Sequence, residues 1–146
     1  MANCTGIGTT GASITLSLNP LPPGVPCVLS GFAQAGNGQT AKVLNGATVL
    51  ATISAPAGGS GAPRTMVPSS GPIATFTSPA NTSAITVQIS NSGAQKSQVI
   101  SSYETVTWGT TVYAGQWTFA SEDVPNGGDC DFNDSVVMLT WTTKAG

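Results

Sequence analysis

Ser13-Ile14-Thr15-Leu16-Ser17-Leu18 alternates apolar side chains with hydroxyls along its whole length. A period of two places Ile14, Leu16 and Leu18 on one face, as in a strand with one buried side. Asn19-Pro20-Leu21-Pro22-Pro23-Gly24 then stops it, because proline brings no N–H to a ladder. The same pattern recurs along the chain. Residues 25–32 read as the next strand and Ala35-Gly36-Asn37-Gly38 as a tight turn into a strand over 40–44. Asn45-Gly46 then joins it to a partner over 47–54, Asn-Gly being a strong hairpin signal because both residues tolerate positive φ. Further strands are expected over 73–76, 85–89, 97–101, 104–108 and 116–119. Residues 135–141 form a near-continuous apolar run, suited to a central strand buried on both faces. Residues 55–72, rich in Gly, Pro and Ser and holding Arg64, read as a surface loop, since neither flank could build a core alone. No helical periodicity and no internal repeat appears. The expectation is an all-β chain, an antiparallel β-sandwich of about nine strands, in one domain over residues 1–146.

Composition narrows the function. Charged residues are 7% of the 146, against about 25% in ordinary soluble domains, and the net charge is −2. So few cations cannot neutralise a row of phosphates, which argues against nucleic acid as a partner. Histidine is absent, which removes Ser-His-Asp and Cys-His catalysis and His-type zinc sites. No apolar run approaches the ~20 residues of a membrane span. Met1-Ala2-Asn3-Cys4 lacks the charged and apolar regions of a signal peptide. The expectation is a cytoplasmic pool or non-classical secretion. Cys4, Cys27 and Cys130 show no CxxC spacing. A single disulfide, with Cys4–Cys27 as the candidate pair, and buried free thiols are both open. Asn81-Thr82-Ser83 matches the N-glycosylation triplet, a match that arises often by chance.

The acids are distributed unevenly. Glu122, Asp123, Asp129, Asp131 and Asp134 lie within thirteen residues, and of the six carboxylates only Glu104 lies elsewhere. Two unit charges about 5 Å apart repel by roughly 3 kcal/mol at an effective dielectric of 20. Several such pairs would offset much of a domain's net stability of about 5–15 kcal/mol. The run must therefore be splayed into water, protonated in part, or neutralised by a cation. No basic residue lies in or beside it, and a bound metal is the simplest answer. Carboxylates with an Asn carbonyl suit a hard cation, and a large flexible site suits Ca²⁺ better than Mg²⁺. Asp129-x-Asp131-x-Asn133 opens like an EF-hand loop, but Asp134 stands where the turn glycine belongs and Thr140 where the bidentate Glu belongs. This is a calcium loop feeding a strand. Five carboxylates and an amide exceed what one ion usually takes, which points to a two-ion site with shared carboxylates.

These residues resemble the bacterial two-calcium fucose/mannose-binding lectins (LecB-like). In that family Glu-Asp opens a short acidic loop, Asp-x-Asp-Tyr-Asn-Asp closes it, and an apolar strand runs to a Trp near a C-terminal Gly. Here Ser121-Glu122-Asp123, Asp129-Cys130-Asp131-Phe132-Asn133-Asp134, Val136-Val137 and the stretch from Trp141 to Gly146 correspond. Gly31-Phe32-Ala33-Gln34-Ala35-Gly36-Asn37-Gly38-Gln39-Thr40 resembles the family's Phe-Ala-Asn segment and sugar-specificity turn, with no separate role for Gln39. The resemblance implies two Ca²⁺ per subunit on Glu122, Asp129, Asp131, Asn133 and Asp134, with Gln34 and Gly146 completing the ligand set. It also implies that Asp123, Asp129, Asp131 and Asp134 accept hydrogen bonds from sugar hydroxyls, and that Ala35, Gly36 and Asn37 form the specificity turn. The implied partners are fucose- and mannose-containing glycans, and the implied assembly is a homodimer or homotetramer. This sequence departs from the pattern in three places. Gln34 replaces a ligating Asn, whose contact Asn37 would otherwise supply; the loop between Glu122 and Asp129 is longer; and so is the tail after Trp141.

Two other readings compete. Calcium could only lock the fold of a structural or adhesion domain. Paired carboxylates also hydrolyse glycosides when held about 5–9 Å apart, but every candidate pair lies in the cluster committed to cations, so an enzyme is not expected. Trp108, Tyr113 and Trp117 fit either a sugar platform or the core, and the core is the expectation for most of them.

Overall fold

The computed structural model describes Cys4 and residues 7–58, 61–93, 96–123 and 129–143. Strands β1 (Thr9–Gly11), β2 (Ser13–Ser17), β3 (Pro26–Ala33), β4 (Gln39–Asn45), β5 (Thr48–Ala55) and β6 (Arg64–Thr65) come first. They are followed by β7 (Val67–Pro68), β8 (Ala74–Thr77), β9 (Ile85–Asn91), β10 (Ser97–Trp108), β11 (Thr111–Glu122) and β12 (Ser135–Thr142). All pair antiparallel. One sheet runs β1-β10-β11-β12-β3-β6, with β8 also on β3; the other runs β2-β9-β4-β5-β7. Two antiparallel sheets confirm the expected sandwich. Its strands of four or more residues are the nine anticipated, with 97–101 and 104–108 fused into the single strand β10. The short β6 and β7 lie in the stretch read as loop, where Met66 between them is buried.

Alternation explains the packing. Ala41 and Val43 on β4 and Ile85, Val87 and Ile89 on β9 face Leu29 on β3, Phe119 on β11 and Val137, Leu139 and Trp141 on β12. Ile14 and Leu18 are buried with them and Leu16 packs against them, as the period of two requires. β12 is central, between β11 and β3, but only one face is deeply buried. Ser135, Val137, Leu139 and Trp141 point inward while Val136, Met138 and Thr140 are half-covered, which corrects the expectation of burial on both faces. Trp117 is a core aromatic, with ring centroids 4.9 Å from Tyr103 and 5.8 Å from Phe119. Trp108 and Tyr113 are not: they are 81% and 49% exposed at the tip of the β10–β11 hairpin.

The cysteines pair differently from the candidate bridge. Cys4 bonds Cys130, with Cα atoms 5.6 Å apart, and Cys27 is a buried free thiol. Cys27 lies on β3 facing the core, six positions along the strand from Ala33, and its burial pushes the thiol up to about 11. Asn81 of the glycosylation triplet accepts the Ser83 N–H at 2.9 Å, an ordinary Asx turn. Among the described residues no helix is long and apolar enough to cross a membrane.

Candidate functional site

The site grows from three neighbouring strand ends. Register pairs Ser135 with Ala33 and Ser121 with Ser135, so β3 and β11 end where β12 begins. The connections over 34–38 and 123–134 therefore emerge side by side. Beneath them Ser121 and Ser135 share a buried hydroxyl contact of 2.6 Å, which satisfies both hydroxyls under the loops. Above them the Asp134 N–H donates to Ser121 O and the Gln34 N–H to Asp134 O, both at 3.1 Å. Gln34 is thus fixed against the acidic loop by its backbone.

The acidic loop curls through two strained residues. Cys130 and Phe132 have φ of 59° and 53°, in the left-handed region that side chains avoid, at a cost on the order of 1 kcal/mol each. These alternate residues turn to the protein, Cys130 into the disulfide and Phe132 to a buried position where it is 8% exposed. Asp131, between them, is exposed. Asn133 Nδ2 donates to Asp131 Oδ2 at 2.5 Å and its N–H to Asp131 Oδ1 at 3.2 Å.

The carboxylates gather as two overlapping triads. Glu122, Asp129 and Asp131 form one and Glu122, Asp123 and Asp134 the other, with the oxygens of each triad within 4.8 Å of one another. Oxygens on opposite sides of a Ca²⁺ lie about 5 Å apart, from ligand distances of 2.3–2.6 Å, so both triads fit an oxygen-seeking cation. Glu122 belongs to both and is 2% exposed. Burial pushes the Asp134 carboxyl up to about 7, reinforced by the charges of Asp123 and Glu122 and a hydrogen bond with Glu122, against the pull of the Asp123 N–H. That N–H donates to Asp134 Oδ2 at 2.6 Å. Five carboxylates at one end of a nearly uncharged chain, two of them buried, are what a divalent cation would neutralise.

Asp123 is 6% exposed and held by side chains from outside the acidic run. Asn37 Nδ2 donates to its Oδ2 at 2.9 Å and Gln39 Nε2 to the same oxygen at 3.2 Å. Gln39 escaped the sequence reading. Its signal was parity: it shares the inward face of β4 with Ala41 and Val43, a polar group where an apolar one was due. In the turn, Ala35 is 1% exposed while Gly36 is exposed and Asn37 half-buried. Gly146 and the inserted loop residues 124–128 lie outside the described residues. Glu104 is elsewhere. It pairs with Gln116 on the outer sheet face, six positions along β11 from Glu122 and so roughly 20 Å away. The hairpin tip with Trp108 lies at the far end of the same strands, on the order of 35 Å off.

Two antiparallel sheets with carboxylates clustered at one end define a β-sandwich with a candidate cation site, and the comparisons with known proteins name the family. The model of fucose-binding lectin II (PA-IIL) matches residues 18–143, and the chain belongs to that family. Solved structures that it resembles include the C-terminal domain of the BC2L-C lectin from Burkholderia cenocepacia, at 20% identity over 93% of this chain and 100% of that one, with a TM-score of 0.59. A high-affinity mannose-binding lectin from Ralstonia solanacearum is similar at 23% identity, 91% and 97% coverage and a TM-score of 0.58. The Chromobacterium violaceum lectin CV2L, solved with α-methyl-fucoside, is similar at 20% identity, 91% and 97% coverage and a TM-score of 0.57. At these identities the likenesses concern the fold. No curated protein sequence matches the chain. The family is one of carbohydrate-binding lectins rather than enzymes, its lectins are calcium-binding, and the acids of this chain are grouped so that they could hold metal.

Proposed function

We propose that this chain is a calcium-dependent lectin for fucose- and mannose-type sugars. The observation that carries the reading is the pair of carboxylate triads sharing buried Glu122. Glu122, Asp129, Asp131, Asn133 and Asp134 would hold two Ca²⁺, with Gln34 and Gly146 as further ligands. Calcium, when bound, supplies electrophilic positions for the vicinal hydroxyls of a sugar. The chain's own groups do the rest. Asp123, Asp129, Asp131 and Asp134 accept hydrogen bonds from sugar hydroxyls, contacts to carboxylate being roughly twice as strong as neutral ones. Asn37 and Gln39 fix one oxygen of Asp123 and so orient the other. Ala35, Gly36 and Asn37 form the rim that discriminates between sugars. A single small site binds weakly, so the functional unit is a homodimer or homotetramer of one-domain subunits engaging clustered glycans. The Cys4–Cys130 bridge suits action in an oxidising space outside the cell.

Binding of methyl α-fucoside or methyl α-mannoside that disappears with chelator and returns with Ca²⁺ is the expected result. A calcium-dependent melting shift with no binding to any glycan would favour the alternative, a structural or adhesion domain that calcium only stiffens.

A further inference from the structure

We infer that Arg64 is a positioning residue that sets the shape of the turn over 35–38 and thereby the choice between sugars; the inference rests on the lectin reading above. Arg64 begins β6 and pairs with Ala33, one strand residue before the turn. Its Nη2 donates to Ala35 O at 2.8 Å and its Nη1 to Pro56 O at 2.6 Å. Gly58 N–H donates to Gly36 O at 2.8 Å, so the segment after β5 lies along the turn and Arg64 clamps the two together. The opposite side is held too. Gly38 N–H donates to Ser92 Oγ and Ser92 N–H to Gly38 O, each at 2.8 Å. A Cβ at Gly93 would come within 2.8 Å of Asn37 Nδ2, the atom that donates to Asp123.

The Ala35 methyl is buried, so a ligand meets the path of the backbone from Gly36 onward rather than that side chain. Whatever fixes that path governs fit. The guanidinium suits the task because its planar fork reaches two carbonyls at once in fixed directions, whereas an ammonium offers its three donors from one nitrogen. Among the described residues Arg64 touches no carboxylate, so its removal leaves the acidic triads as they are.

The test uses the full chain with Ca²⁺ and the variants Arg64→Ala, Arg64→Lys and Gly93→Ala. Three quantities are read: the calcium-linked melting shift, the ratio of affinities for methyl α-fucoside and methyl α-mannoside, and amide exchange at Gly58. Both Arg64 variants should keep the calcium shift, alter the ratio by about fivefold or more without rescue by Lys, and exchange faster at Gly58. A ratio unchanged within about twofold, with the calcium shift intact, overturns the inference. If Arg64→Ala does not fold, Arg64→Lys carries the same test, and Gly93→Ala must change the ratio from the other side of the turn. If the wild type binds neither glycoside, the lectin reading has failed. The clamp is then judged on exchange: faster at Gly58 in Arg64→Lys supports it, and no change overturns it.

Discussion

Asn37 and Asp123, 86 positions apart in the chain, are joined by a 2.9 Å hydrogen bond from Nδ2 to Oδ2. The turn is therefore tied to the acidic loop through the Asn37 side chain, and loss of that side chain is felt by both. Asn37→Ala should weaken calcium-linked stabilisation by about 1–2 kcal/mol, the worth of a hydrogen bond to a charged group, and should also shift sugar preference. Gly36→Ala, at an exposed position where an added Cβ meets nothing within 4 Å, should shift preference alone. Thermal melts with and without Ca²⁺, beside competition binding, separate the two effects.

Asp131→Ala and Asp134→Ala each remove a carboxylate from one triad. Each should abolish calcium-linked stabilisation and sugar binding together. At 100 times the dissociation constant that stabilisation amounts to about 2.7 kcal/mol, a melting shift of roughly 5–10 °C for a chain of this size. Retained sugar binding in both variants would count heavily against the site.

Calcium-free protein should lose stability as pH rises. The Asp134 carboxyl stands at about 7 in the folded chain against 3.8 as its ordinary value, so folding takes up a proton. That contribution is fully present below about pH 4 and is lost as pH climbs through 7. Melting temperature in chelator should therefore fall from about pH 5 to about pH 8, the interval through which the folded-state carboxyl gives up its proton. Asp134→Asn should flatten that slope and raise calcium-free stability at pH 8, by roughly 1–2 kcal/mol once solvent screening is allowed for. A wild-type profile that rises over the same interval contradicts the electrostatic picture.

The Cys4–Cys130 bridge should dominate redox behaviour. Cys130→Ser or reduction should cost about 2–5 kcal/mol, whereas Cys27→Ala should leave the bridge intact. Peptide mapping without reductant should recover the 4–130 pair, with Cys27 alkylated only after unfolding.

The sandwich was legible because burial alternates where the residues alternate: Ile14 and Leu18 face inward, and Asn45-Gly46 turns β4 into β5. The acidic triads were legible as charge density, since five acids in an uncharged chain need an explanation. What the sequence hid depended on contacts between distant segments. Nothing near Cys4 announces Cys130, and Gln39 reads as a strand residue until β4 is laid beside Asp123. The length of β10 was also hidden, because Ser102 and Tyr103 carry no pattern that bridges the two apolar stretches around them.

The most direct measurement is calorimetric titration of chelator-stripped protein with Ca²⁺, then of the loaded protein with methyl α-fucoside and methyl α-mannoside. The account predicts saturable uptake of two ions per chain, with glycoside heat only after that uptake. No calcium binding at millimolar concentration, or glycoside binding undiminished in chelator, would contradict it.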